Sequence, residues 1–340
     1  MQLEEDYVNP LESSPRWRLS ARAYILRAAA KTAFAIANRS APYVTRVVWL
    51  DSTLGACNGP RKIKVEIWET PRDSVSDSPK KRPAIINFHG GGFVLGQGTD
   101  DARWAGTAMA DLGATVFSIN YRLAPTHPFP KAVEDCADSI VQICNRAGEF
   151  GVDRDRVILS GFSSGGALAL ASWVLLQDSE RWDYQLNIPQ PTGAGIVLFY
   201  PLLDWTLSRP QKRLSCPRPD LTLPKYITDL FDASYVYPPL TRAERNDARL
   251  SPGLMSDELL DRLPPVHLCL AEYDMLLAEG LRFGDRLRTR GKRVSIRVVA
   301  GEKHGWDKFS PKNPENISIE YGEATKAMLG WLELATSMAK

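Results

Sequence analysis

The sequence predicts an α/β protein: a mostly parallel eight-stranded sheet with helices on both faces and a helical cap. Three observations carry this. Short apolar runs recur and, from the third onward, alternate with helical segments, as parallel strands joined by right-handed crossovers require. Two of these runs end in glycine-rich turns, Phe88-His89-Gly90-Gly91-Gly92-Phe93 and Gly161-Phe162-Ser163-Ser164-Gly165-Gly166. A stretch from Leu203 to Asn246, rich in Pro, Tyr and Leu, breaks the alternation and has no clear strand.

The first element is a helix from Arg16 to Ala37. Leu19, Ala23, Leu26, Ala30, Phe34 and Ala37 fall on one stripe of it. Arg18, Arg22, Arg27 and Lys31 add positive charge, which would suit a membrane-surface helix. The stripe is mostly alanine, which grips lipid weakly, so a helix folded over the active site is the preferred reading. Strand-like runs follow near Tyr43–Leu50 and Lys62–Trp68. No helix separates these two, so they are expected to form an antiparallel edge. Asp73 to Lys81, rich in serine and charge, is expected as a surface loop. Six further strands are predicted near Ala84–Phe88, Thr115–Ile119, Val157–Ser160, Gly195–Phe199, Val266–Leu270 and Val294–Val299. The chain thus divides into N-terminal cap helices (1–40), a first part of the core (41–203), a cap insertion (204–246) and a second part of the core (247–340).

The turns carry the chemistry. Three consecutive glycines weaken any regular element, so a backbone requirement must hold them there. N–H groups aimed at a developing oxyanion, with no side chain in the way, are such a requirement. Arg156-Val157-Ile158-Leu159-Ser160 leads into the second turn, and a helical stretch from Ala167 to Leu176 follows. Strand, G-x-S-x-G and helix together form a nucleophile elbow, in which a strained turn lifts the hydroxyl of Ser163 above the sheet.

Ser163 then needs a base, and the base an orienting acid. The chain has four histidines. His89 belongs to the glycine turn, His127 sits among prolines, and His267 lies inside a strand-like run. His304 stands in a loop just past the last strand, where it can reach a neighbouring strand's serine. The acid is expected past the preceding strand, in Ala271-Glu272-Tyr273-Asp274. Asp274 is the first choice, with Glu272 and Glu279 as rivals.

His89-Gly90-Gly91-Gly92-Phe93-Val94-Leu95-Gly96 resembles the oxyanion motif of the hormone-sensitive-lipase-like branch of the α/β-hydrolases. Tyr121-Arg122-Leu123-Ala124-Pro125, Phe129-Pro130 and Ala132-Val133-Glu134-Asp135 are similar to further blocks of that family, as are Asp274 with Glu279-Gly280 and His304-Gly305. The resemblance runs from about Lys81 to Trp306. It implies an α/β-hydrolase fold, an esterase with a Ser163, Asp274 and His304 triad, and oxyanion donors at the N–H groups of Gly91, Gly92 and Ser164. Phe162, Thr126, Ala167 and Met275 depart from the family's usual residues without removing a catalytic group. The Phe-Ser-Ser-Gly-Gly elbow and the His-Gly-Trp-Asp sequence look like fungal members, which suggests specialised metabolism.

The remaining features bound the function. A formal charge of +2 gives no reason to expect a nucleic-acid partner. Cysteines 57, 136, 144, 216 and 269 are scattered and odd in number, and read as buried thiols in a reducing, cytoplasmic compartment. The acidic start, Met1 to Asp6, does not read as a secretory signal, and no apolar run is long enough to span a bilayer. No cofactor or metal is expected, the partner is a small-molecule ester, and a homodimer is compatible with the sequence. Phe93, Phe162 and Trp205 are expected to contact substrate, and Tyr226, Phe231, Tyr235 and Tyr237 to help line the pocket. The prolines at 210, 217, 219, 224, 238 and 239 favour a preformed cover over a sweeping lid, and hence small or medium acyl groups over triglycerides. Two other readings use the same residues: acyl transfer, lactonisation or polyketide release, and a catalytically silent small-molecule receptor.

Overall fold

All eight expected strands form, in one sheet of order β1-β2-β4-β3-β5-β6-β7-β8. The computed structural model describes residues 7–55, 61–70, 81–186, 193–309 and 313–338. The strands are β1 (Arg46–Ser52), β2 (Arg61–Trp68), β3 (Arg82–Phe88), β4 (Thr115–Asn120), β5 (Val152–Phe162), β6 (Gly195–Phe199), β7 (Val266–Tyr273) and β8 (Val294–Lys303). As expected, β1 and β2 are an antiparallel edge; β2 also pairs antiparallel with β4, and the other five pairings are parallel. The serine- and charge-rich segment at 73–81 falls almost wholly outside the described residues, as do Met1 to Asp6 and Cys57.

The helices are α1 (Arg16–Ala37), α2 (Ala102–Leu112), α3 (Lys131–Asn145), the single turn α4 (Ala147–Phe150), α5 (Ser164–Gln177), α6 (Arg209–Leu214), α7 (Lys225–Tyr235), α8 (Asp257–Arg262), α9 (Leu277–Thr289) and α10 (Pro314–Met338). Alternation along the strands explains how both faces are covered. Ile86, Leu159, Leu198 and Leu268 join one core with residues of α3, α5 and α9. Their neighbours Ile85, Ile158, Val197 and Cys269 join a second core with residues of α2 and α10. A strand buried on both faces reads as a continuous apolar run, which is what the sequence presents.

The stripe expected on α1 does turn inward: Leu19 and Ala23 are buried, and Leu26, Ala30, Phe34 and Ala37 are half-buried. Leu19 packs with Leu230 and Ala233 of α7. Arg27 donates from Nε to the Val94 carbonyl at 2.6 Å and from Nη2 to the Ala124 carbonyl at 2.6 Å. Arg16 donates to the carbonyls of Pro125 and Thr126. The helix is therefore tied to the loops that follow β3 and β4. Among the described residues no helix is long and apolar enough to cross a membrane.

Candidate active site

The three strand ends expected to carry chemistry meet. Ser163 follows β5, Asp274 follows β7 and His304 follows β8, all at the carboxyl edge of the parallel strands, where such sheets open their crevice. His304 Nε2 lies 2.8 Å from Ser163 Oγ. His304 Nδ1 lies 2.5 Å from Asp274 Oδ2. A carboxylate only accepts, so Nδ1 carries the proton and Nε2 is left to accept from the serine hydroxyl. Asp274 is buried, and its Oδ1 accepts the Leu276 N–H at 3.0 Å. Both carboxylate oxygens are thereby fixed.

The rivals are occupied elsewhere. Glu272 accepts the Gly301 N–H at 2.6 Å. Glu279 is buried, forms a 2.5 Å ion pair with Lys212, and accepts the Leu203 N–H at 2.6 Å. His267 is buried in β7 with Nδ1 2.7 Å from Ser295 Oγ, as its strand placement suggested. Burial there pushes its imidazolium down to about 4, with the Arg297 charge adding to the effect. His89 is also buried, stacked on the Tyr121 ring at 4.3 Å, with Nδ1 2.8 Å from the Gly90 carbonyl. Desolvation lowers its basicity as well, so it braces the glycine turn as a neutral ring.

Ser163 holds φ 54° and ψ −116°, a strained conformation that fits the expected elbow. The flanking glycines are obligatory: a Cβ on Gly161 would lie 2.2 Å from the Gly165 carbonyl oxygen, and one on Gly165 would lie 1.9 Å from that of Phe88. The N–H groups of Gly91, Gly92 and Ser164 have no acceptor among the described residues. Ser164 opens the 14-residue helix α5, whose dipole adds positive potential at that point. The blocks that resembled the family turn out to be braces. The Tyr121 hydroxyl donates to the His89 carbonyl at 2.7 Å. Arg122 pairs with buried Asp135 at 2.7 Å.

Behind His304 lies a group of residues of which the sequence singled out only Asp307, in the His-Gly-Trp-Asp run. The Tyr200 ring meets the imidazole edge-on at 4.8 Å. Its hydroxyl donates to buried Asp307, which also accepts from Tyr321 at 2.5 Å and pairs with Lys308 at 3.0 Å. Burial alone would raise the Asp307 carboxyl, but Lys308 and the two hydroxyls outweigh it and hold it below the usual carboxylate range. The β8 loop is thus tied down just past the histidine.

Over the serine is a cavity of about 20 Å³, lined in part by Gly92, Ser163, Ser164, Asp274 and His304. This is little more than the space of one water. The expected substrate contacts need correction. Phe162 is fully buried on the opposite face, stacked on Phe199 at 4.4 Å and covered by Lys308. It continues the alternation of Ile158 and Ser160 toward α2, a signal available in the sequence. Phe93 and Trp205 are also buried, Phe93 stacked on Tyr235 at 3.7 Å and Trp205 6.0 Å from Phe93. They pack on Tyr235 and on each other and do not line the cavity. Tyr226 is exposed and Tyr237 packs beside Leu19, so of the aromatics expected to line the pocket only Phe231 does so. Its ring sits so close to the glycine turn that a Cβ on Gly92 would lie 2.0 Å from it.

Arg209, Leu223 and Thr228 complete the wall from 204–246, and Leu202, Met275 and Leu276 from the strand ends. The last three follow β6 and β7 directly, so the strand-end rule could have found them. Arg209 and Thr228 carry no local signal.

Comparison with known proteins agrees with this arrangement. A family described as alpha/beta hydrolase fold matches residues 85–308. An arylesterase of Saccharolobus solfataricus is 30% identical over 274 residues, covering 78% of this chain and 81% of that protein. Human hormone-sensitive lipase is 32% identical over 162 residues, covering 45% of this chain and 14% of that protein. The hyperthermophilic esterase of Pyrobaculum calidifontis superposes with a TM-score of 0.76 at 25% identity, over 98% of this chain and 99% of that one.

Proposed function

The chain belongs to the α/β-hydrolase fold family as a carboxylesterase-type hydrolase, and we propose that it cleaves small or medium acyl esters through Ser163, His304 and Asp274. The observation that carries this reading is the unbroken line from Asp274 Oδ2 to His304 Nδ1 at 2.5 Å and from His304 Nε2 to Ser163 Oγ at 2.8 Å. His304 takes the Ser163 proton at Nε2 as Oγ attacks the ester carbonyl. Asp274 holds the tautomer and stabilises the imidazolium that results. The tetrahedral oxyanion accepts from the N–H groups of Gly91, Gly92 and Ser164. His304 then passes its proton to the departing alkoxide, which leaves as alcohol and gives an acyl-enzyme on Ser163. Water, deprotonated by the same imidazole, repeats the sequence and frees the acid.

The narrow cavity and the Phe231 ring over Gly92 support small acyl groups. The segment 204–246 and α1 act in this reading as a cap. Cys136, Cys144, Cys216 and Cys269 are free and buried, which supports a reducing, cytoplasmic setting. The likeness of the elbow and of His304-Gly305-Trp306-Asp307 to fungal members extends the reading to esters of specialised metabolites. The test is kcat/KM for p-nitrophenyl acetate, butyrate and octanoate, comparing the wild type with Ser163→Ala. Turnover that falls with chain length and vanishes in the variant is expected; turnover that survives Ser163→Ala would overturn the assignment.

A further inference from the structure

The cavity wall holds one charged side chain that the proposed triad does not use. Arg209 is 8% exposed and reaches the cavity from the start of α6. Its Nε donates to Asp232 Oδ2 at 2.9 Å and its Nη2 to Asp232 Oδ1 at 2.7 Å. Its Cζ lies 5.5 Å from the centre of the Trp205 ring. Burial lowers its basicity, but Asp232 more than restores it, so the group stays charged. Two of its three nitrogens are thus committed to one carboxylate.

The third is not. Arg209 Nη1 has no acceptor among the described residues, although the guanidinium as a whole is nearly buried. A purely structural ion pair with Asp232 needs only the edge that faces Asp232. Neighbouring Thr228 offers nothing further, because its hydroxyl donates to the Lys225 carbonyl at 3.0 Å and accepts from Arg213 at 2.9 Å. The other walls contributed by Leu202, Leu223, Phe231, Met275 and Leu276 are apolar. Besides the N–H groups of the glycine turn and of Ser164, this otherwise apolar wall offers one open charged donor, which fixes a ligand by an oriented hydrogen bond.

We infer that the substrate carries a second oxygen acceptor beyond its scissile ester, and that this oxygen accepts from Arg209 Nη1. The acceptor is neutral, a ketone or second ester carbonyl. Asp232 already balances the guanidinium, and Asp274 lines the same cavity, so a full anion gains no net attraction. Arg209 is then a specificity residue. This inference rests on the ester-hydrolase reading above and names the substrate class of that site.

The test compares p-nitrophenyl 4-oxopentanoate with p-nitrophenyl pentanoate, which differ by a carbonyl in place of a methylene. The wild type is expected to favour the oxo ester by about tenfold in kcat/KM, the scale of a hydrogen bond from a charged donor. Because Arg209→Met alone would strand Asp232, the variants are Arg209→Lys and the paired Arg209→Gln with Asp232→Asn, each checked for folding by thermal melting. Both should reduce the ratio to near one. A ratio near or below one in the wild type, a ratio unchanged in both variants, or a hemisuccinate ester outpacing the oxo ester would overturn the inference. Dissociation constants of the two esters with Ser163→Ala read the subsite without chemistry. Absence of Ser163-dependent turnover would count against the hydrolase reading, while a tenfold difference in these constants would still support the subsite.

Discussion

The carboxyl edge of the sheet and the segment proposed to cap it are built on opposite principles. At the edge, each proposed catalytic group follows directly from a strand and is held by bonds to its neighbours along that edge: Asp274 through both oxygens, His304 between Asp274 and Ser163, and the loop beyond it by Asp307. The cover, residues 204–246, has no strand to position it and is held by ion pairs and packing between separate helices. Arg209 pairs with Asp232, Lys212 with Glu279, and Leu19 of α1 packs on Leu230. It leaves the buried Trp205 Nε1 without a partner and brings Arg209, whose Nη1 is bonded to no described residue, to the cavity wall. Chemistry needs a rigid line that is already complete, whereas selection among substrates needs groups that a ligand completes.

This contrast predicts that edge substitutions act on turnover and cover substitutions on substrate choice. The largest effect is expected at His304. His304→Ala should lower kcat by about 10⁴- to 10⁶-fold with a thermal midpoint close to wild type, read by steady-state kinetics and calorimetry. A variant that keeps a tenth of the activity would break the contrast at its strongest point. Asp274→Asn comes next. It should cost about 10⁴-fold in kcat, because the amide favours the wrong imidazole tautomer. Glu272→Gln, which only loosens a bond to Gly301, should stay within about twofold, so equal losses at both positions would move the acid role away from Asp274.

On the cover, Phe231→Ala should shift the ratio of octanoate to acetate kcat/KM upward by about tenfold, since it removes the ring that presses on Gly92. It should also lower stability by about 3 kcal/mol, as loss of a buried phenyl does. An unchanged ratio would mean that the ring does not bound the acyl site. The smallest effect on turnover belongs to His267, which lies in the sheet away from both regions. Its imidazole is held neutral, with its basicity lowered from 6.5 to about 4. The unfolded chain therefore binds the proton more readily, and stability is full above pH 6.5 and falls as pH drops toward 4. The loss amounts to about 3 kcal/mol. Chemical denaturation of the wild type and His267→Gln at pH 7 and pH 4.5 should show the extra loss only in the wild type.

The same division governs what could be read from the sequence. Strand runs, glycine turns and the order serine, acid, histidine are local patterns, so all eight strands and the meeting of Ser163, Asp274 and His304 followed from residues adjacent in the chain. The cover was legible only as an interruption. Aromatic residues in it were expected to face substrate, yet Trp205 and Tyr235 pack on buried Phe93. Phe162 was misjudged for another reason. Its place beside the proposed nucleophile drew it to the site, while the two-residue alternation of β5 sends it to the far face. Arg209 was invisible because neither its pairing with Asp232 nor the cavity it lines is marked by any motif beside it in the chain.

The central claim is that Ser163 is the nucleophile, activated by His304. Treatment with a p-nitrophenyl phosphonate followed by mass spectrometry of the peptides tests it most directly. The account predicts a single stoichiometric adduct on Ser163, formed at least a thousandfold more slowly in His304→Ala. An adduct on Ser164, no adduct at all, or labelling at the same rate without His304 would contradict it.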